Sequence, residues 1–373
     1  MSPLASRAST RDFLEVGEAG PGAKFGLLGN PENRRLRDFA RAVSDAGWPP
    51  VVELSYQALL DGAALDPSVE LWRLDSPGEN AVLARRLIAL GGGPAAAPLE
   101  FGEIGFGAAY HRGFCRLLER LPAVRWMNDP AEVALMFDKW LCHERFVEAG
   151  LPRPESFLAP PSFEELRCGL APSGRLFLKP LHGSSASGVC ALRWTGGRCQ
   201  MLAPLQIEGG RPFNSLKVRS YSTWDQVAGI LEPLLAQGMV VERWIPKLGL
   251  GDGVVDLRVL VIAGQARHRV VRQSSSPMTN LHLGNRRGCE DELREALGEA
   301  RWSAALRLAE RAAACFPRCL YAGVDILLDR SGRAYVGEIN AFGDLLPGLV
   351  DRGESAYAAV ARAAMSDVRS CAV

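Results

Sequence analysis

One acidic residue inside an apolar strand constrains this chain more than any other feature. Asp325 interrupts the run Val324-Asp325-Ile326-Leu327-Leu328, and a second largely apolar run over 334–339 follows the turn Asp329-Arg330-Ser331-Gly332. The two runs read as a hairpin. Glu338 and Asn340 flank Ile339 at a spacing of two, so alternation puts both on one face, and Asp325 can share it across the hairpin. A buried carboxylate without a partner costs on the order of several kcal/mol, which a cation would offset. Three oxygen donors of this kind suit a hard ion such as magnesium, with manganese also accommodated, its other positions filled by water and phosphate oxygens.

Phosphates call for cations, and lysine is scarce here: five lysines stand against 38 arginines. Lys179 ends an apolar strand and precedes Gly183-Ser184-Ser185-Ala186-Ser187-Gly188, a loop of small residues whose backbone amides can form an anion nest. Lys139 opens a helix expected over 138–149, where its charge and the helix N-terminus both favour an anion. Lys24, Lys217 and Lys247 read as structural. The strand 239–241 runs into Glu242-Arg243-Trp244-Ile245-Pro246, whose backbone edge suits an adenine, with Trp244 or Ile245 against the ring. Arg258, Arg269 and Arg272 lie on paired strands, placed to neutralise a γ-phosphoryl group or to grip a carboxylate bidentately.

The 373 residues are enough for two or three domains. Residues 1–23 are polar, without an apolar stretch, and read as a flexible leader. Over 24–127 strands (25–28, 51–54, 70–74, 125–127) alternate with helices (32–46, 79–90), the pattern of a small parallel sheet of the Rossmann-like α/β kind. The glycine- and alanine-rich stretch 91–98 reads as a linker. From 128 to 373 the pattern is α+β, with hairpins expected at 176–194, 254–271 and 323–339 and helices over 224–236 and 302–316. Basic and acidic residues number 43 and 42, which argues against a nucleic-acid partner, and no apolar run is long enough to span a membrane. Nine scattered cysteines without a C-x-x-C pair point to a reducing cytoplasm. Gly26-Leu27-Leu28-Gly29 lacks the G-x-G-x-x-G spacing of dinucleotide-binding oxidoreductases, and no Ser-His-Asp or Cys-His arrangement is evident.

The order of these elements resembles the ATP-grasp superfamily, nearest to its RimK and glutathione-synthetase branch of carboxylate-amine ligases. The resemblance runs from Asn128 to the C-terminus, and Gly323-Val324-Asp325 with Gly337-Glu338-Ile339-Asn340 is its most specific part. Thr279-Asn280-Leu281-His282-Leu283-Gly284 is similar to the Asn-containing segment near the terminal phosphate, and Gly29 through Arg35 resembles a bacterial subgroup. The resemblance implies a pre-ATP-grasp domain over 24–127 and an ATP-grasp domain over 128–373, with a lid at about 152–241 and a metal-binding part at about 242–373. It implies that Lys139 and Lys179 bind the α- and β-phosphates, that Gly183, Ser184, Ser185, Ser187 and Gly188 form the lid loop, and that Glu242, Arg243, Trp244 and Ile245 form the adenine hinge. Asp325, Glu338 and Asn340 would hold magnesium, while Arg258, Arg269 and Asn280 would face the γ-phosphate and the acyl substrate. The activity implied is an ATP-dependent ligase that joins a small-molecule or peptide carboxylate to an amine through an acyl phosphate, as a possible homodimer. A non-catalytic ATP-binding regulatory module is the alternative. Arg34, Arg35 and the segment Ser76-Pro77-Gly78-Glu79-Asn80 are candidates for the acceptor site. Two departures stand out: Ala341 through Pro347 replaces a Pro-Gly segment, and Glu242-Arg243 replaces a Gln-Glu hinge.

Overall fold

Three larger sheets and a two-stranded ribbon (Val350–Asp351 with Glu354–Ser355) are present among the described residues, and the computed structural model describes residues 24–95, 100, 102–183, 186–343 and 348–370 of the chain. The expected leader, residues 96–99 of the expected linker, and Ser184 and Ser185 of the loop lie outside the described residues.

In the N-terminal region, β1 (Phe25–Gly29), β2 (Val52–Ser55) and β3 (Leu71–Leu74) form a parallel sheet in the order β2-β1-β3. All five residues of β1 are buried, as expected for a central parallel strand covered on both faces. The helix Arg34–Asp45 starts two residues later than its periodicity suggests, because the Asn33 side chain caps it by accepting from the Arg35 amide. Residues 125–127, expected as a strand, contribute only an isolated parallel bridge between Trp72 and Trp126. The first glycine of the expected linker is a packing residue: a Cβ on Gly91 would lie 1.8 Å from the Ala109 carbonyl oxygen, and one on Gly113 would lie 1.7 Å from that of Leu87. Only glycine at both positions lets the helices Ala81–Leu90 and Gly107–Leu118 approach this closely.

The second sheet holds β4 (Ser156–Leu158), β5 (Ser173–Pro180), β6 (Cys190–Thr195), β7 (Arg198–Glu208), β8 (Arg211–Tyr221) and β9 (Met239–Arg243), all antiparallel in the order β4-β9-β5-β6-β7-β8. Leu178, Leu192, Met201 and Val241 pack against the helix Trp224–Leu235 through Val227, Ile230 and Leu234. The β7–β8 hairpin is absent from the sequence-based expectation. Strand β8 is an edge with few buried residues, so it carries little hydrophobic signal.

The third sheet holds β10 (Gly249–Leu250), β11 (Gly253–Ile262), β12 (Gln265–Ser274), β13 (Arg286–Arg287), β14 (Tyr321–Leu328) and β15 (Ala334–Asn340), in the order β13-β12-β11-β14-β15 with β10 beside β11. The β11–β12 turn is where the sequence puts it, with Ala263 and Gly264 both at positive φ (48° and 77°), the mirror-image turn that matches strand twist. Val255, Leu257 and Val259 face the helix Glu299–Ala314, and with Trp302, Ala305 and Leu308 they form the main core. The intervening residues Asp256 and Arg258 therefore emerge on the opposite face. In register, Asp325 pairs with both Arg258 and Glu338, Gly323 pairs with Asn340, and Asp256 pairs with Arg272. None of the helices among the described residues is long and apolar enough to cross a membrane, and the eight described cysteines are free thiols.

Candidate active site

A cleft of about 110 Å³ lies between the second and third sheets, lined from one side by Lys139, Phe177, Lys179, Gly183, Ser187 and the segment 242–245, and from the other by Lys247, Asp256, Arg272, Asn280, Asp325 and Glu338. Most of the residues expected from the sequence to handle nucleotide and metal thus meet in one place.

Two ammonium groups reach β15, Lys179 from the second sheet and Lys139 from a helix. Lys139 is the first residue of the helix Lys139–Glu148, whose Asp138 cap accepts from the Trp140 and Leu141 amides. Its Nζ donates to the Gly183 carbonyl at 2.6 Å and lies 3.3 Å from Glu338 Oε1 on β15. Lys179 ends β5; its Nζ is 2.8 Å from Glu242 Oε2 on β9 and donates to the Gly337 carbonyl at 3.3 Å. Burial pulls the Lys179 pKa down, but the carboxylates of Glu242 and Glu338 outweigh it and hold it above its ordinary value. In the hinge, Trp244 meets the Phe177 ring edge-on at 6.2 Å, and Ile245 lines the cleft. Arg243 turns outward to within 3.7 Å of Glu155.

The third-sheet side is a ladder of buried ion pairs. Arg258 grips both oxygens of Asp325, and the Arg272 guanidinium lies 3.1 Å from Asp325 Oδ2 while donating to Asp256 Oδ1 at 2.7 Å. Asp256 Oδ2 in turn accepts from Lys247 Nζ at 2.8 Å and from the Thr279 hydroxyl. Burial raises both aspartate pKa values, yet Arg258 and Arg272 at Asp325, and Arg272 and Lys247 at Asp256, carry them below the ordinary carboxylate range. For Lys247 burial prevails over Asp256, and its pKa is lowered. Gly323 makes room for this ladder, since a Cβ there would sit 2.6 Å from the Gly343 carbonyl oxygen and 3.1 Å from the Arg258 guanidinium.

These placements revise three of the sequence expectations. The offset for Asp325 comes from two arginines, so its burial does not by itself demand a metal. Arg269 lies on the opposite face from Arg272, because consecutive strand residues alternate; it is bound to Glu290 at 2.9 Å and Asp351 at 3.2 Å, away from the cleft. Lys247, expected to be structural, lines the cleft. Asn280 also lines it, with its side-chain oxygen capping the short helix Leu281–Leu283 by accepting from the His282 amide. In the N-terminal region Arg35 is 3.2 Å from Asp75 and Arg34 is 3.4 Å from Asp38, while Asn30 ties down the segment 76–80 through the Pro77 and Gly78 carbonyls.

The donor set also fits a hard divalent cation. Asp325 and Glu338 lie side by side in register, and Asn340 stands on the same face with its amide nitrogen buried and without a hydrogen-bond partner. Glu338 is the least enclosed of the acids here, with its side chain 30% exposed, and an ion bound to it would take the place of Lys139. Among the described residues no group of three or more His, Cys, Asp or Glu side chains is gathered as a metal site, so the candidate set rests on two carboxylates and an amide.

No protein-family model and no curated protein sequence matches the chain. Solved structures do match it over nearly its full length. The D-cycloserine synthetase DcsG aligns with a TM-score of 0.54 at 13% identity, covering 93% of this chain and 100% of that one. The ATP-grasp ligase PsnB, complexed with minimal precursor, Mg and ADP, aligns at 0.51 and 16% identity over 92% of this chain and 98% of that one. The chain has the ATP-grasp fold. A third structure, the macrocyclase MdnC from Microcystis aeruginosa MRC bound with precursor peptide MdnA, aligns at 0.52 and 12% identity over 92% and 100% of the two chains. In the ATP-grasp fold of this protein, the second and third sheets are the two walls of the cleft.

Proposed function

We propose that this protein is an ATP- and magnesium-dependent ligase that activates a carboxylate as an acyl phosphate and joins it to an amine. The observation that carries this reading is the convergence of Lys139 and Lys179 from one wall with Asp325, Glu338 and Arg272 from the other. The domain reading that accompanies it has a Rossmann-like pre-ATP-grasp unit at 24–127, a lid at about 152–241 and a metal-bearing part at about 242–373.

The chemistry needs little covalent help. A substrate carboxylate oxygen attacks the γ-phosphorus, the bond to the β-phosphate oxygen breaks and ADP leaves; the amine then attacks the acyl carbon, inorganic phosphate departs and the amine loses a proton. Asp325, Glu338 and Asn340 would hold magnesium, which when bound would supply charge neutralisation at the phosphate oxygens. Lys139 and Lys179 hold the α- and β-phosphates, exchanging Glu338 and Glu242 for phosphate oxygens. Arg272 and Lys247 face the γ-phosphate and the incoming carboxylate, and Arg258 holds Asp325 in place from beneath. Phe177, Trp244 and Ile245 pack on the base. Gly183 and Ser187 line the cleft beside Lys139 and Lys179, where the loop they belong to would keep water from the acyl phosphate.

The cleft as it stands is smaller than the ~300 Å³ of an ordinary small-molecule pocket. Nucleotide entry therefore requires the Lys139–Glu338 contact to open. PsnB and MdnC were solved with precursor peptides, which supports a peptide as well as a small molecule as substrate here. The deciding experiment measures ADP release with Mg and ATP against pooled carboxylates, amines and peptides, with Glu338→Gln as the comparison. Stimulated release by the wild type and its loss in the variant are expected; equal release by both would overturn the assignment of Glu338.

A further inference from the structure

A groove on the face of the third sheet away from the cleft is lined by four arginines. The helix Glu299–Ala314 turns Arg301, Arg307 and Arg311 outward, and Arg333 in the β14–β15 turn joins them; with Pro152 and Ala334 they help to line about 530 Å³. No carboxylate lines this groove, although acidic and basic residues are nearly equal in the chain. Several other surface arginines have acidic partners, as Arg86 has Asp61, Arg294 has Glu299 and Arg362 has Glu354. Among the described residues none of the four groove arginines has one: Arg311 donates to the Ala149 carbonyl at 3.4 Å, and Arg333 lies over the Tyr335 ring. Four unneutralised guanidinium groups around one concavity favour an anionic occupant.

The backbone says what kind. Strand β15 is an edge of its sheet. The Val336 amide points outward and donates to the Pro152 carbonyl at 2.8 Å, while on the inner side the Asp329 amide donates to the Arg333 carbonyl and closes the turn. Backbone groups alternate in direction along a strand, so the Ala334 N–H and C=O point outward as well, beyond the point where Pro152 covers the edge. They open into the arginine groove. A strand edge of this kind accepts an extended chain by strand addition, which a polynucleotide cannot supply. The spacing agrees: Arg307 and Arg311 are one helical turn apart, about 6 Å along the axis, close to the roughly 6.7 Å between alternate side chains of an extended peptide.

We propose that this groove docks an extended, carboxylate-rich peptide segment of a partner protein, its backbone added to β15 at Ala334 and its acidic side chains on Arg301, Arg307, Arg311 and Arg333. Docking here is remote from the nucleotide cleft, so it is measured without ATP and stands or falls separately from the ligase reading. The probe is a fluorescein-labelled octapeptide with Glu at alternate positions, titrated with the full chain by fluorescence anisotropy at about 0.15 M ionic strength. Saturable binding is expected, weakened at least about tenfold by R301E/R307E/R311E and changed less than about twofold by R37E/R41E on the exposed side of the helix Arg34–Asp45. A probe N-methylated along one edge tests the backbone contact without altering the protein and is expected to lose at least about tenfold. Equal binding by the triple variant, equal binding of the N-methylated probe, or tighter binding of an oligouridylate of the same charge would each overturn the proposal.

Discussion

The two walls of the cleft use opposite electrostatic designs. On the third sheet, Arg258, Arg272, Asp256 and Asp325 are satisfied within one rigid sheet and are nearly inaccessible. Opposite it, Lys139 from the helix Lys139–Glu148 and Lys179 from β5 both reach groups of β15, and the Lys139–Glu338 contact is partly open to solvent. A fully buried ladder inside one sheet holds that sheet's shape, whereas an ammonium at the cleft lining can exchange its carboxylate partner for a ligand's phosphate. The first wall therefore acts chiefly through stability and geometry, and the second through binding.

Substitutions that remove one partner from each wall separate these roles. The largest effect on stability is expected for Asp325→Ala, which strands two buried guanidinium groups; a loss of about 3–5 kcal/mol should appear in urea unfolding. For this reason Asp325→Ala cannot isolate a metal-binding role, and Glu338→Gln is the cleaner variant. Lys139→Ala should instead leave the unfolding free energy within about 1 kcal/mol, since its ion pair is partly solvated, while ATP affinity in a fluorescent-nucleotide titration falls at least about tenfold. If Lys139→Ala unfolds the protein as Asp325→Ala does, the distinction between the walls is lost.

Acid should act on the ladder next. Because Asp256 and Asp325 titrate below their ordinary value of 3.8, their contribution to stability is complete above that value and lost as the pH falls through the lower folded-state values. Urea midpoints measured from pH 6 downward should therefore drop steeply below about pH 4, and Asp325→Asn should flatten that drop. The smallest effect is expected for Arg269→Ala: it lies on the other face of β12, so ADP release should change less than about twofold. A large loss there would place Arg269 back in the chemistry.

Much of the third sheet was legible because its signal is local. Asp325, Glu338 and Asn340 were assigned to a common face by strand alternation, and the register agrees. Lys139 and Lys179 stood out because lysine is scarce in the chain. The β7–β8 hairpin was missed because an edge strand needs no apolar alternation, and Lys247 was missed because its partners Asp256 and Thr279 are set by pairing with β12 and by the loop beyond it. Arg269 and Arg272 look equivalent in a basic run; only the start of the strand decides which of the two shares a face with Asp256.

The sequence alone determined three of the hairpins (β5–β6, β11–β12 and β14–β15), the turn at Ala263-Gly264, the cluster of acids on β14 and β15, and two phosphate-binding lysine candidates, because each depends on spacing within a few residues. Tertiary structure decided what neutralises Asp325, which arginines reach the cleft, and where four unpaired guanidinium groups meet a strand edge. Those outcomes depend on which strands become neighbours, and long-range Coulomb partners leave no periodic trace in the chain that carries them.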